Sequence, residues 1–137
     1  MSRDKGIIPY ELPGGWTVLA GASDVHNDRL STEIAEPDDW WFHVVGLPGS
    51  HVILRAKDGE EPSRATLMQA ASVAAYHSKA RKAGTVPVHC ARARDVTKRR
   101  GAEAGTVEVG RGVVLKVRPS LALAERRVWT GTERGPE

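Results

Sequence analysis

The sequence predicts an α+β fold, a mostly antiparallel sheet packed against one long Ala-rich helix plus a short helix, and three features carry that prediction. Two apolar runs, WWFHVV and SHVILRA, flank the turn former GLPG and read as the strands of a hairpin. An alanine-rich stretch, RATLMQAASVAAYHSKARKAG, follows a serine and ends in basic residues and glycine, the start and stop signals of a helix. After it, VPVHCARA alternates like a strand, with Val86, Val88 and Cys90 on one face and His89 on the other. A chain of 137 residues lies near the commonest domain size and can bury a real core without staples.

Taken in order, residues 1 to 14 contain Gly6, Pro9, Pro13 and Gly14, punctuation that predicts an extended N-terminal arm. WTVLAG, from Trp16 to Gly21, reads as a strand. Ser23 and Asp24 can cap a short helix on which Leu30 and Ile34 are spaced by four before Pro37. Both hairpin runs are apolar on both faces, which places them centrally in the sheet. Leu67, Ala71, Ala74, Ala75 and Ser78 form the inner stripe of the long helix, predicted from a Ser63 cap to Gly84, and side chains this small let its backbone approach the sheet closely. DVTKRRGAEAG is a basic loop; TVEV, GRG and VVLKVRP then predict a second hairpin. Residues 15 to 127 thus form the folded domain, and residues 128 to 137 a flexible tail.

Charge is distributed unevenly. Residues 1 to 62 carry 11 acidic and 5 basic side chains, a balance of −6; residues 63 to 127 carry 4 acidic and 14 basic, a balance of +10. Such a field, gathered on one face, attracts a polyanion. Cys90 is the one cysteine, which excludes an internal disulfide and a cysteine-based zinc site and fits a reducing, cytoplasmic compartment. No apolar run is long enough to span a membrane, and the first residues lack the pattern of an export signal.

The candidate sites follow from strand geometry. If GLPG is a four-residue loop, His51 lies opposite Val44 and the two hairpin histidines face apart; a three-residue loop pairs His43 with His51 directly. Each histidine can then bind a ligand or simply hydrogen-bond its backbone neighbourhood. Two imidazoles alone make an incomplete metal site, and no metal or cofactor is implied. Trp40, Trp41 and Phe42 are consecutive, so they cannot form one platform; each fits core packing, and one tryptophan can stack on a base. Pro48 and Gly49 shape the turn. The basic cluster comprises Lys79, Arg81 and Lys82 at the helix end, Arg92 and Arg94 on the strand, and Lys98, Arg99 and Arg100 in the loop, expected to form one continuous surface. Acid/base chemistry could use Asp39 with His43, and Cys90 next to His89 offers a nucleophile, although adjacent strand residues point apart.

The order NDRLS, DWWFHVVGLPGSHVIL, AASVAAYHSKAR, VPVHCARARDVTKRRGAEAGTV and VVLKVRP closely resembles the NFACT-R domain, the RNA-binding module of the NFACT family, over roughly residues 16 to 119. Asp39, Trp41, Phe42 and His43, with Pro48, Gly49, Ser50, His51 and Val52, carry the resemblance. Full-length family members are ribosome-associated quality-control factors; their N-terminal, helix-hairpin-helix and coiled-coil parts have no counterpart here, so a stand-alone module is expected. The resemblance implies binding of RNA, with transfer or ribosomal RNA favoured and the ribosome as a further partner, in translation, ribosome rescue or RNA processing, and without catalysis. Trp41, His43, Ser50 and His51, with the eight cations above, are the expected RNA contacts; Asp39, Phe42, Pro48 and Gly49 are the expected structural residues. An RNA-processing enzyme built on His43 and Asp39, and a protein-binding adaptor, are the competing readings. The particular RNA and the oligomeric state are not legible in the sequence.

Overall fold

The structure is a computed structural model, and it describes residues 6–127. The expected tail therefore lies outside the described residues, as do the first five residues of the expected arm. Seven strands form one antiparallel sheet in the order β8-β5-β3-β4-β2-β1-β9. They are β1 (Ile7–Leu12), β2 (Trp16–Gly21), β3 (Trp40–Val44), β4 (Val52–Leu54), β5 (Val86–Arg92), β8 (Val113–Val117) and β9 (Glu125–Arg126). β6 (Val96–Thr97) and β7 (Glu108–Val109) make a separate two-stranded ribbon. Helix α2 (Arg64–Tyr76) covers one face. The other face is partly covered by helix α1 (Asp24–Arg29), the π-helical turn Leu30–Ile34 that extends it, and the ribbon.

The alternation of apolar side chains explains the two layers. Phe42, Val44, Val52, Leu54, Val88 and Cys90 point toward α2 and are nearly or fully buried. Trp41, Ile53 and Leu19 point the other way, into a second core completed by Ile7 and Leu30. Ser63 caps α2 by accepting from Thr66 N at 3.1 Å, and Ala70, Ala71, Ala74 and Ala75 present the small face that sits on the sheet.

Three expectations are corrected. The arm is not a free extension: Ile7–Leu12 pairs along its whole length with β2, because Ile7, Tyr10 and Leu12 supply buried core, and Gly14 and Gly15, at φ 91° and 79°, close the turn. The alanine-rich helix is not long: it stops at Tyr76 instead of Gly84, because Ser50 N–H donates to His77 O, the carbonyl that a further helical turn would need. The second hairpin does not form: β7 pairs with β6, sending Val107 and Val109 into the second core, while β8 pairs with β5 to put Leu115 and Val117 under α2.

A buried ion pair fixes the entrance to β3. Asp39 is fully buried; its carboxylate accepts from Arg55 Nη1 at 3.0 Å, Glu36 N at 2.9 Å and Ala56 N at 2.7 Å, and so joins the end of the π-helical turn to β3 and β4. Removing it takes away the carboxylate that faces the buried Arg55 guanidinium. Asp39→Ala is expected to lower unfolding free energy by about 3–5 kcal/mol in urea denaturation; a loss below about 1 kcal/mol would show that the pair is dispensable.

Candidate nucleic-acid interface

Pairing of Trp40 with Leu54, Trp41 with Ile53 and Phe42 with Val52 sets the hairpin register, and the same register brings His43 opposite His51. The open alternative is thereby decided: both imidazoles lie on one face, their ring centroids 5.4 Å apart and edge-on. Trp41 stacks near His43 at 6.0 Å. Ser31 from the π-helical turn completes the group, with its hydroxyl 3.0 Å from Trp41 Nε1 and 2.7 Å from His51 Nδ1. Trp41 can only donate, so Ser31 accepts from it and keeps its own hydrogen for a neutral His51. Burial, and then the neighbouring His43, push the His51 imidazole down to about 4, in keeping with that role. Burial likewise lowers His43.

The turn of this hairpin is clamped onto the end of α2. Ser50 N donates to His77 O at 2.9 Å and Lys79 N to Pro48 O at 3.2 Å, and Gly49 bridges to Ser78. A Cβ on Gly49 would lie 2.8 Å from Ser78 Cβ, so only glycine permits the approach. Asn27, buried on α1, ties the turn from the other side: its Oδ1 accepts from His51 N at 2.9 Å and its Nδ2 donates to Gly49 O at 3.4 Å.

Between these elements opens a cleft of about 360 Å³, lined by Ser23, Asn27, Ser50, His77, Lys79 and Arg81 among others. Arg81 is held in place, with Nε donating to Tyr76 O at 2.7 Å and the guanidinium 4.2 Å above the Tyr76 ring, which leaves its terminal nitrogens for a ligand. Among the described residues no carboxylate pairs with Lys79, Arg81, Lys82 or Arg100. His77 Nε2 lies 2.7 Å from the Tyr10 hydroxyl. Burial, with Arg81 nearby, lowers His77 to about 4, while burial raises Tyr10, so a phenol donates to a neutral imidazole. A rigid guanidinium and an ammonium beside hydroxyl and amide groups can hold a phosphodiester and its sugar.

The expected continuous basic surface is divided. Lys79, Arg81 and Lys82 follow α2 directly, at the end of the sheet where β5 begins and β3 ends. Arg92 lies at the opposite end of β5, roughly 20 Å away at strand rise, where it donates to Asp38 O at 2.8 Å and Glu61 Oε1 at 2.7 Å and stacks 3.9 Å over Trp40. Arg94 pairs with the Asp38 carboxylate. Lys98 is consumed by Asp28 Oδ2 at 3.2 Å, Glu103 O at 2.6 Å and Thr106 O at 3.1 Å, and Arg99 pairs with Glu108 at 2.6 Å. The physical reason is the acidic first half of the chain, whose carboxylates fold against Arg92, Arg94 and Lys98.

Trp41 and His51 are 2% and 3% exposed, Trp41 within the second core and His51 held by Ser31 and Asn27. His43 is half-buried, and Ser50 lines the cleft. Phe42 packs under α2. The proposed acid/base pair is not assembled: the Asp39 carboxylate is filled by three donors and lies four strand positions, roughly 13 Å, from His43. Cys90 faces α2, away from His89, and burial raises its thiol to about 11. Among the described residues, no group of three His, Cys, Asp or Glu side chains is placed to hold a metal ion. Sequence reasoning missed Asn27, Ser31 and His77. Asn27 and Ser31 bound the NDRLS motif and His77 lies within AASVAAYHSKAR, which were the available signals; what no local pattern gives is the contact of His77 with Tyr10.

A model of the NFACT protein RNA-binding domain matches residues 10–111. The chain belongs to that family. It is 43% identical over 98 residues to the Rqc2 homolog RqcH of Bacillus subtilis, a match covering 72% of this chain and 17% of the relative. Against the Rqc2 homolog RqcH of Streptococcus suis, identity is 35% over 107 residues, covering 78% of this chain and 19% of the relative. The chain thus spans about a fifth of the length of the curated relatives it matches. The solved C-terminal part of the fibronectin/fibrinogen-binding protein of Streptococcus suis superposes with a TM-score of 0.79 at 32% identity, covering 87% of this chain and 47% of that one. Within this NFACT RNA-binding domain, the clamped hairpin and its cleft fall inside the matched residues.

The buried histidines set a pH dependence. His51 and His77 are lowered from 6.5 to about 4, so between those values the unfolded chain binds more protons than the folded one. The stability these two histidines confer is full above pH 6.5 and falls as the pH drops toward 4, by up to roughly 3 kcal/mol for His51 and by less for the more exposed His77. Urea unfolding across this range is expected to show that slope, and His51→Gln to flatten it; identical slopes for the variant and the parent would refute the assignment.

Proposed function

We propose that this NFACT RNA-binding domain is a non-catalytic module that binds transfer or ribosomal RNA in ribosome quality control, in the cytoplasm, with the cleft beside the GLPGS turn gripping the RNA backbone. The observation that carries this reading is the pair Lys79 and Arg81, which have no carboxylate partner among the described residues and face one cleft with hydroxyl and amide groups, in a member of an RNA-binding family. The relatives named Rqc2 homolog RqcH support the quality-control setting. Binding without turnover is favoured because Asp39 is sequestered and the Cys90 thiol stays protonated. Among the described residues no helix is long and apolar enough to cross a membrane.

Phosphate contacts give affinity that falls with salt and carries little sequence choice. In a fluorescence-anisotropy titration against transfer RNA and ribosomal RNA fragments, Lys79→Glu with Arg81→Glu is expected to weaken binding at least about tenfold and to reduce the salt slope by roughly two. Arg92→Glu with Arg94→Glu should change affinity less than about twofold, since those cations already serve carboxylates. The reverse pattern would move the interface to the other end of the sheet. A second reading, a protein-binding adaptor, is favoured by the similarity to the solved fibronectin/fibrinogen-binding protein of Streptococcus suis; saturable fibronectin binding with no salt-dependent RNA binding would select it.

A further inference from the structure

The second core leaves part of its own sheet face open. Its members come from β1, β2, β4 and Trp41 of β3, together with the π-helical turn and the residues around the ribbon, and none comes from β5 or β8. On that uncovered part, cross-strand pairing lines up His43 with His89 and His89 with Val114, and pairs Pro87 with Lys116. Directly paired residues share a face, so these five side chains form one patch. His43 and His89 are half-buried, Pro87 and Lys116 are exposed, and Val114 is 49% exposed although it is a large apolar side chain. Arg111 and Arg118 flank the patch on either end of β8, and none of these seven residues is acidic.

We propose that this open face is a stacking platform for a single-stranded RNA segment, in which unpaired bases lie on His43, His89 and Val114 while Lys116 and Arg118 hold the adjoining phosphates. The proposal rests on the RNA-binding reading above and adds the structural class of RNA. Flat imidazoles and an exposed valine accept the face of any base, whereas a duplex keeps its base faces stacked inside. Three neighbouring strands at about 4.8 Å spacing make a row about 10 Å long, the kind of sheet surface on which two or three splayed bases are accommodated. Charge selects the occupant: cations without acids suit a polyanion, and Lys116 lies two positions from Val114, about 7 Å toward the end of the sheet that carries Lys79 and Arg81. His43 lies near the end of β3, from which the chain enters the turn whose Pro48, Gly49 and Ser50 line the cleft. A strand gripped in the cleft can therefore continue onto the platform.

The test compares binding of the full chain to a ten-nucleotide oligouridylate and to a twelve-base-pair RNA duplex. His89→Ala with Val114→Ser should weaken oligouridylate binding about five- to a hundredfold, as loss of base stacking does, and leave duplex binding within about twofold. Lys116→Glu, a change at an exposed position, should weaken oligouridylate binding in the same direction and serves if the double variant loses its cooperative thermal transition. Wild-type affinity of both variants for oligouridylate overturns the platform. So does an equal loss on oligouridylate and duplex. If the parent protein binds neither RNA, the RNA-binding reading itself fails; if Lys79→Glu with Arg81→Glu abolishes binding while the platform variants do not, only the platform falls.

Discussion

The pairing of β3 with β4 is the constraint from which the rest of the domain follows. Because side chains alternate along a strand, the register that sets Trp41 against Ile53 sends Phe42, Val44 and Val52 under α2 and directs His43 and His51 to the opposite face. A slip of one residue would exchange these sets and bury imidazoles among the alanines of α2. The ion pair of Asp39 with Arg55 holds the open end of the hairpin, and the bonds of Pro48 and Ser50 to the end of α2 hold the turn. With both ends fixed, the strands have no freedom to shift.

This clamping also explains how the surface comes by its cleft. The carbonyl of His77 accepts from Ser50 instead of continuing the helix, so the chain leaves α2 early and Lys79 and Arg81 emerge beside the turn. A longer helix would carry those cations out along its axis and away from Ser50 and Asn27. The site therefore depends on a helix ending that is enforced by tertiary contact, and Gly49 is required there because a side chain would collide with Ser78.

Electrostatically the domain is polarised along its strands. The start of β5 lies with Lys79, Arg81 and Lys82, while its far end meets Asp38 and Glu61 through Arg92. Glu36, Asp58 and Glu60 border the same far end. Such an arrangement orients the molecule on a polyanion as well as attracting it, since the acidic end is repelled. The asymmetry is already present in the chain, with the first half acidic and the second basic, but folding neutralises some cations and leaves others open.

The sequence by itself determined the α+β class, the central hairpin, the strands at Trp16–Gly21 and Val86–Arg92 and the Ser63 cap, because these depend on local periodicity, capping and turn chemistry, and its ordered motifs carried the resemblance to the family. It did not determine the strand at Ile7–Leu12, where Pro9 and nearby glycines suggested irregular chain, since that strand is made by pairing with β2 and β9. It left the facing of His43 and His51 undecided, because a loop motif fits more than one register and packing on both faces chooses between them. It also grouped cations by their nearness along the chain. Only the tertiary structure decided which of them face a cleft and which are bound by carboxylates, because Asp38, Glu61 and Asp28 lie 31 to 70 residues from the cations they hold.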